Sequence, residues 1–153
     1  MTTPAHTLSA AYISLIVSGV DHTQTPLIIT ALISAAILDL DHLYFIAKDP
    51  SIAKRGKLHG ARSIFHESFG FVVIGILMLV VGFYNQQLAK VIGLAMMIHL
   101  AEDMVVGISI PFNPVDKTEV RLLPQNTKLK IILDVSTIII FGVLWIKYLN
   151  GQV

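Results

Sequence analysis

Four apolar runs, each near the length that crosses a bilayer, constrain this chain more than any other feature. They are Pro26 to Ala47, His66 to Tyr84, Leu88 to Pro111 and Leu129 to Leu149. A membrane-spanning helix needs about 20 such residues. A fifth run, Ala5 to Val20, is shorter; at helical rise it reaches about 24 Å, so it spans marginally or enters partway. Polar breaks separate the runs. Asp21 to Pro26 is a turn with Pro placed to open the next helix, Asn85-Gln86-Gln87 is a tight hairpin, and Pro111-Phe112-Asn113-Pro114 is a helix stop. There is no internal repeat. The pattern predicts an all-α fold, a polytopic transmembrane bundle of about five helices with a short first one, in one domain over residues 1–153.

Composition agrees. Only 14% of residues are charged and 54% are hydrophobic, against about 25% charged in soluble domains. A surface facing water could not be covered, so the expected partner is the lipid bilayer. A net charge of +1 provides no basic face to track phosphates, which excludes a nucleic-acid partner. With no cysteine, a metal would be held by histidines and carboxylates. The leader Met1 to Thr7 has no Lys or Arg, so a cleaved signal peptide is not expected. Lys48, Lys54, Arg55, Lys57 and Arg62 cluster in the second connection, and Lys117, Arg121, Lys128 and Lys130 in or beside the fourth. The positive-inside rule then predicts a multi-pass protein of the cell membrane with a cytoplasmic N-terminus and an external C-terminus.

The residues that do not belong in apolar runs carry the functional signal. Asp39, Asp41, His42, His66, Glu67, His99, Glu102, Asp103 and Asp134 lie within or at the edges of the runs. A charged side chain near the bilayer centre costs about 2.5–3.5 kcal/mol on insertion scales, so such residues need partners and usually mark function. Asp39 and Asp103 fall at matching depths, about 12 Å inside the cytoplasmic ends of their runs. His6 and His66 open their runs from the same side. Four helices therefore deliver His and Asp to one layer beneath the cytoplasmic headgroups. His99 and Asp103 stand one turn apart on one helical face, as do Asp39 and His42. Glu102, beside Asp103, is expected to face elsewhere. Imidazole and carboxylate donors without thiolate suit zinc, iron or manganese alike.

The order of these residues resembles the membrane-bound, predicted metal-dependent hydrolases of bacterial and archaeal inner membranes, a family with a LexA-regulated member in enteric bacteria. Its N-terminal His is matched by His6. Its Pro-Asp-x-Asp-His segment is matched by Leu38-Asp39-Leu40-Asp41-His42, with Leu in place of Pro. Its His-Arg-Gly-x-Thr-His-Ser element is matched in part by Arg62, His66 and the polar Glu67-Ser68 that follow; its first His falls on Ala61, which leaves His59 out of register. Its His-x-x-x-Asp is matched by His99 and Asp103. More loosely, the order is similar to the zinc phospholipase C and P1-nuclease group.

The resemblance implies an inner-membrane hydrolase of a phosphoester or ester, acting on a lipid or lipid-linked substrate. It puts zinc first among the divalent ions, ahead of manganese or iron. The implied metal ligands are His6, Asp39, Asp41, His66, His99 and Asp103. Glu67 would accept a proton from water, and Arg62 would grip a substrate phosphate. Other readings compete. The same residues could form a proton or metal-ion pathway, an inactive scaffold, or a buried polar network without metal. His22 and His59 are expected to be solvated, and Asp134 either to pair with Lys130 one turn earlier or to support the metal ligands from behind. Gly70, Gly75 and Gly82 are expected to allow close helix contact.

Overall fold

A computed structural model describes residues 2–40, 44, 47–48, 64–112, 115–116, 118–124 and 126–153. The expectations on Asp41, His42, His59 and Arg62 lie outside these. Among the described residues there are five α-helices and no strand; Ser109 and Val120 form one isolated antiparallel bridge. The helices are α1 (Thr3–Val17), α2 (Thr25–Ile37), α3 (Ser68–Gly82), α4 (Gln86–Val106) and α5 (Thr127–Leu149), with a 3-10 turn at Ile64–His66. The all-helical expectation holds.

Local chemistry sets most of the ends. α1 and α2 each carry Pro in the first turn, where its fixed φ suits the helix and its missing N–H costs nothing. α1 stops at Ser18, followed by Gly19 at φ +63°, a left-handed conformation that glycine adopts without steric cost. In the next turn Asp21 accepts from the backbone N–H of Thr23 at 2.8 Å and from its hydroxyl at 2.7 Å. These bonds, the backbone one foremost, hold the Asp21 carboxyl below its usual range. Asn85 caps α4 by accepting from the Leu88 N–H at 2.9 Å. Asn126 caps α5 in the same way, from Lys128 at 2.9 Å and Leu129 at 3.4 Å.

Two ends differ from the apolar runs. α2 leaves regular helix after Ile37, so Asp39 sits just past its end instead of inside it. α4 stops at Val106, where Gly107 turns extended, ahead of Pro111. Apolarity marks what a segment is embedded in; it does not mark where the helical hydrogen-bond ladder ends.

α1 is central and packs against α2, α4 and α5, while α3 packs on α4. Its inward face is small: Ala5, Ser9, Ala10, Ala11 and Ser14 are buried, which lets neighbouring backbones approach. Tyr12 stacks edge-on with Phe141, Trp145 and Tyr148 of α5. Trp145 donates its indole N–H to the Leu8 carbonyl at 3.0 Å, and Tyr148 its hydroxyl to the Val20 carbonyl at 2.9 Å. At the α3–α4 contact a Cβ on Gly93 would overlap Met78. A Cβ on Gly70 would overlap the Phe65 carbonyl, whereas Gly75 faces open space. Close contact thus needs Gly70 and not Gly75.

The outward faces are apolar. Val72, Ile76, Leu79 and Val80 of α3 and Ile131, Ile132, Val135, Ile139, Val143 and Ile146 of α5 are all exposed. Among the described residues one helix, α5, is long and apolar enough to cross a membrane, with mean hydropathy 2.2 and 6% of its apolar window buried. α2 and α3 are shorter apolar helices.

Candidate metal centre

The helix ends converge on one another. The start of α1 brings His6, the end of α2 brings Asp39, the turn before α3 brings His66, and the last turns of α4 bring His99 and Asp103. His66 closes the 3-10 turn and Glu67 is extended, so α3 begins only at Ser68. Gly70 packs under this turn, which is why its missing Cβ matters to where His66 points.

Asp39, His66, His99 and Asp103 each offer a donor atom within 4.8 Å of the others; Asp39 is half-buried and the other three are buried. His99 Nε2 lies 3.4 Å from Asp39 Oδ1 and 4.0 Å from Asp103 Oδ2. His66 Nε2 lies 3.7 Å from Asp103 Oδ2. Ligands about 2.1 Å from a tetrahedral ion stand roughly 3.4 Å apart, so these separations fit donors arranged around a cation. His99 is fully buried; its Nδ1 makes no hydrogen bond among the described residues, and its Nε2 has only the long 3.4 Å approach to Asp39 Oδ1. A buried imidazole nitrogen so weakly partnered is costly, and coordination at Nε2 would relieve it. The group could therefore hold a metal ion, and the chemistry of its donors suits a divalent one.

His6 adjoins the four. Its Nε2 is 3.1 Å from Asp103 Oδ1, and its ring centroid is 4.9 Å from that of His99. Its Nδ1 is 2.8 Å from Glu102 Oε2, which also accepts from the Ser9 hydroxyl at 2.9 Å. Glu102 thus faces the site, against the expectation that it faces elsewhere. At 3.6 residues per turn Glu102 and Asp103 straddle the direction of His99, and both lean toward α1. That arithmetic was available in the spacing from His99 to Glu102. Ser9 had no comparable signal beyond standing one turn after His6.

The remaining expected residues fall as follows. Glu67 is buried beside His66 in the chain and lies outside the group of four. Asp41 and Arg62 are among the residues not described. Asp134 accepts the backbone N–H of Thr2 at 2.9 Å, fastening α5 to the start of α1. His22 lies in the turn after α1, its side chain partly exposed and 3.4 Å from Asp21 Oδ1.

The family model described as YdjM inner membrane protein matches residues 1–152. The chain belongs to the YdjM inner membrane protein family. No curated protein and no solved structure matches it. Membership in the YdjM family accords with the apolar outer faces of α3 and α5 and gives the inner-membrane expectation an independent basis. It says nothing of hydrolysis, of zinc or of the phospholipase C and P1-nuclease group. Those rest on the resemblance and on the donor set alone.

Proposed function

We propose that this chain is a multi-pass, metal-dependent hydrolase that cleaves a phosphoester or ester of a lipid or lipid-linked substrate at the cytoplasmic headgroup level. One observation carries the reading: the ends of three helices gather Asp39, His66, His99 and Asp103 around one point in a bundle whose outer faces are apolar. Buried ionisable groups of this kind are costly in a membrane and persist where they do chemistry.

In this reading the four residues, with Asp41 as a further donor, hold a divalent ion, zinc first. When bound, that ion supplies Lewis acidity toward a phosphoryl or ester oxygen and acidifies water. The Glu67 carboxylate, buried next to His66, accepts the proton that water loses. Arg62, in the connection before the 3-10 turn, pairs in a bidentate way with a substrate phosphate. The apolar outer faces admit a lipid from the side, and the basic connections keep this end of the bundle cytoplasmic. The whole chain acts as one domain, its N-terminus cytoplasmic.

The test is metal analysis of the purified protein in detergent, followed by assays on phosphoester and ester lipids. Stoichiometric metal and a metal-dependent turnover lost in His99→Ala support the reading. A protein that takes up no divalent ion, or that hydrolyses equally well as His99→Ala, overturns it.

A further inference from the structure

Resting on the metal-site reading above, we propose that Glu102 is a positioning residue that turns the His6 imidazole so that its Nε2 becomes a fifth donor beside Asp39, His66, His99 and Asp103. Glu102 Oε2 is 2.8 Å from His6 Nδ1. An ionised carboxylate only accepts, so the proton of a neutral His6 sits on Nδ1. The Ser9 hydroxyl stands 2.9 Å from the same oxygen and 2.9 Å from the Ala5 carbonyl; its one proton favours the ionised acceptor and pins the carboxylate in place. Ser9 lies one turn after His6 on α1, so helix and hydrogen bond share the constraint.

With the proton on Nδ1, the Nε2 lone pair points at Asp103 Oδ1, 3.1 Å away, in a site where His6 is 1% exposed. Two lone pairs facing each other at that distance repel unless positive charge lies between them. Without metal a second proton on Nε2, donated to Asp103, supplies it, and a cation shared with the neighbouring donors would take that proton's place. Histidine ligands to metals commonly donate their other N–H to a carboxylate, which fixes the tautomer and raises the basicity of the ligating nitrogen. The Ser9–Glu102–His6 chain has that form. It spans α1 and α4.

The experiment uses the full chain in detergent, with Zn2+ titrated against a chelating indicator and Co2+ absorption as a report of coordination. In the wild-type background Glu102→Ala is expected to weaken Zn2+ binding about 10- to 100-fold, the range for outer-shell partners. Glu102→Gln, whose amide oxygen still accepts from Nδ1–H, keeps most of the affinity. His6→Ala weakens binding and shifts the Co2+ spectrum toward lower coordination. In the His6→Ala background Glu102→Ala adds nothing, because the two act as a unit. If Glu102→Ala does not fold, Ser9→Ala carries the same test, with a loss of about several-fold that vanishes beside His6→Ala. Equal losses in both backgrounds would mean that Glu102 only braces α1 against α4, and wild-type affinity in Glu102→Ala would mean no role; either result overturns the proposal. A wild-type chain that binds neither Zn2+ nor Co2+ removes the metal reading itself. Wild-type binding with an unaffected Glu102→Ala removes this inference alone.

Discussion

The backbone N–H of Thr2 donates to Asp134 Oδ1 at 2.9 Å across the whole length of the chain. The bond fastens the last helix to the start of the first, four residues ahead of His6. Asp134→Ala is expected to cost about 1 kcal/mol, the net worth of one such bond, and to weaken divalent-ion binding by loosening α1. Asp134→Asn, which keeps an acceptor, restores most of both. Thermal unfolding in detergent and a Zn2+ titration check this; unchanged values in both assays for Asp134→Ala would remove the fastening role.

His99 and Asp103 stand one turn apart and meet donors from two other segments. Loss of either donor is expected to reduce Zn2+ affinity more than about 100-fold, beyond the range for outer-shell partners. Asp103→Asn isolates charge from shape, since the amide is nearly isosteric. Equilibrium dialysis with metal analysis reads the result. Retained stoichiometric Zn2+ in both His99→Ala and Asp103→Asn would mean that the ion is held elsewhere and that these residues form a buried polar network.

Gly70 has no room for a side chain: a Cβ there would overlap the Phe65 carbonyl and crowd Leu100. Backbone cannot swing aside as a side-chain tip can. Gly70→Ala is therefore expected to cost about 1–3 kcal/mol, the usual range for overpacking, and to displace His66 from the donor group. Gly75→Ala, at a position open to 4 Å, is expected to change neither melting nor metal binding. Equal behaviour of the two variants would contradict the close-contact account.

Much of this layer was legible from spacing. His6, Asp39, His66, His99 and Asp103 share one end of the bundle because alternate helix ends face the same side, and that follows from chain order alone. The pairing of His99 with Asp103 follows from the helical period. The partner of His6 was less visible, because Glu102 could be placed only by combining its angle from His99 with the position of α1, a tertiary fact. The end of α2 at Ile37 was hidden for a different reason. Leu38 and Leu40 continue the apolar composition, and composition carries no information on where the backbone ladder stops. Asp134 gave a local candidate in Lys130, while a partner at the other terminus leaves no trace in local sequence.

At the opposite end of the bundle, Tyr148 donates its hydroxyl to the Val20 carbonyl at 2.9 Å. Tyr148 is buried, so removing the hydroxyl leaves an acceptor without its donor. Tyr148→Phe is expected to cost about 1–2 kcal/mol while leaving Zn2+ affinity unchanged, because Val20 lies beyond the far end of α1 from His6. A metal defect in Tyr148→Phe would mean that the aromatic end and the donor layer are coupled.

The proposed topology makes a prediction that the chain itself simplifies, since it has no cysteine. Tyr84→Cys lies in the exposed connection between α3 and α4, Val115→Cys in the loop between α4 and α5, and Gln152→Cys after α5. If each of these helices crosses, Tyr84→Cys and Gln152→Cys face outward and Val115→Cys faces the cytoplasm. At 15 residues α3 reaches only about 22 Å, less than the roughly 30 Å hydrocarbon core, so crossing requires local thinning of the bilayer or help from flanking residues. A membrane-impermeant maleimide added to intact cells should label Tyr84→Cys and Gln152→Cys, and Val115→Cys only after lysis. Labelling Tyr84→Cys and Val115→Cys from the same side would mean that α4 does not cross.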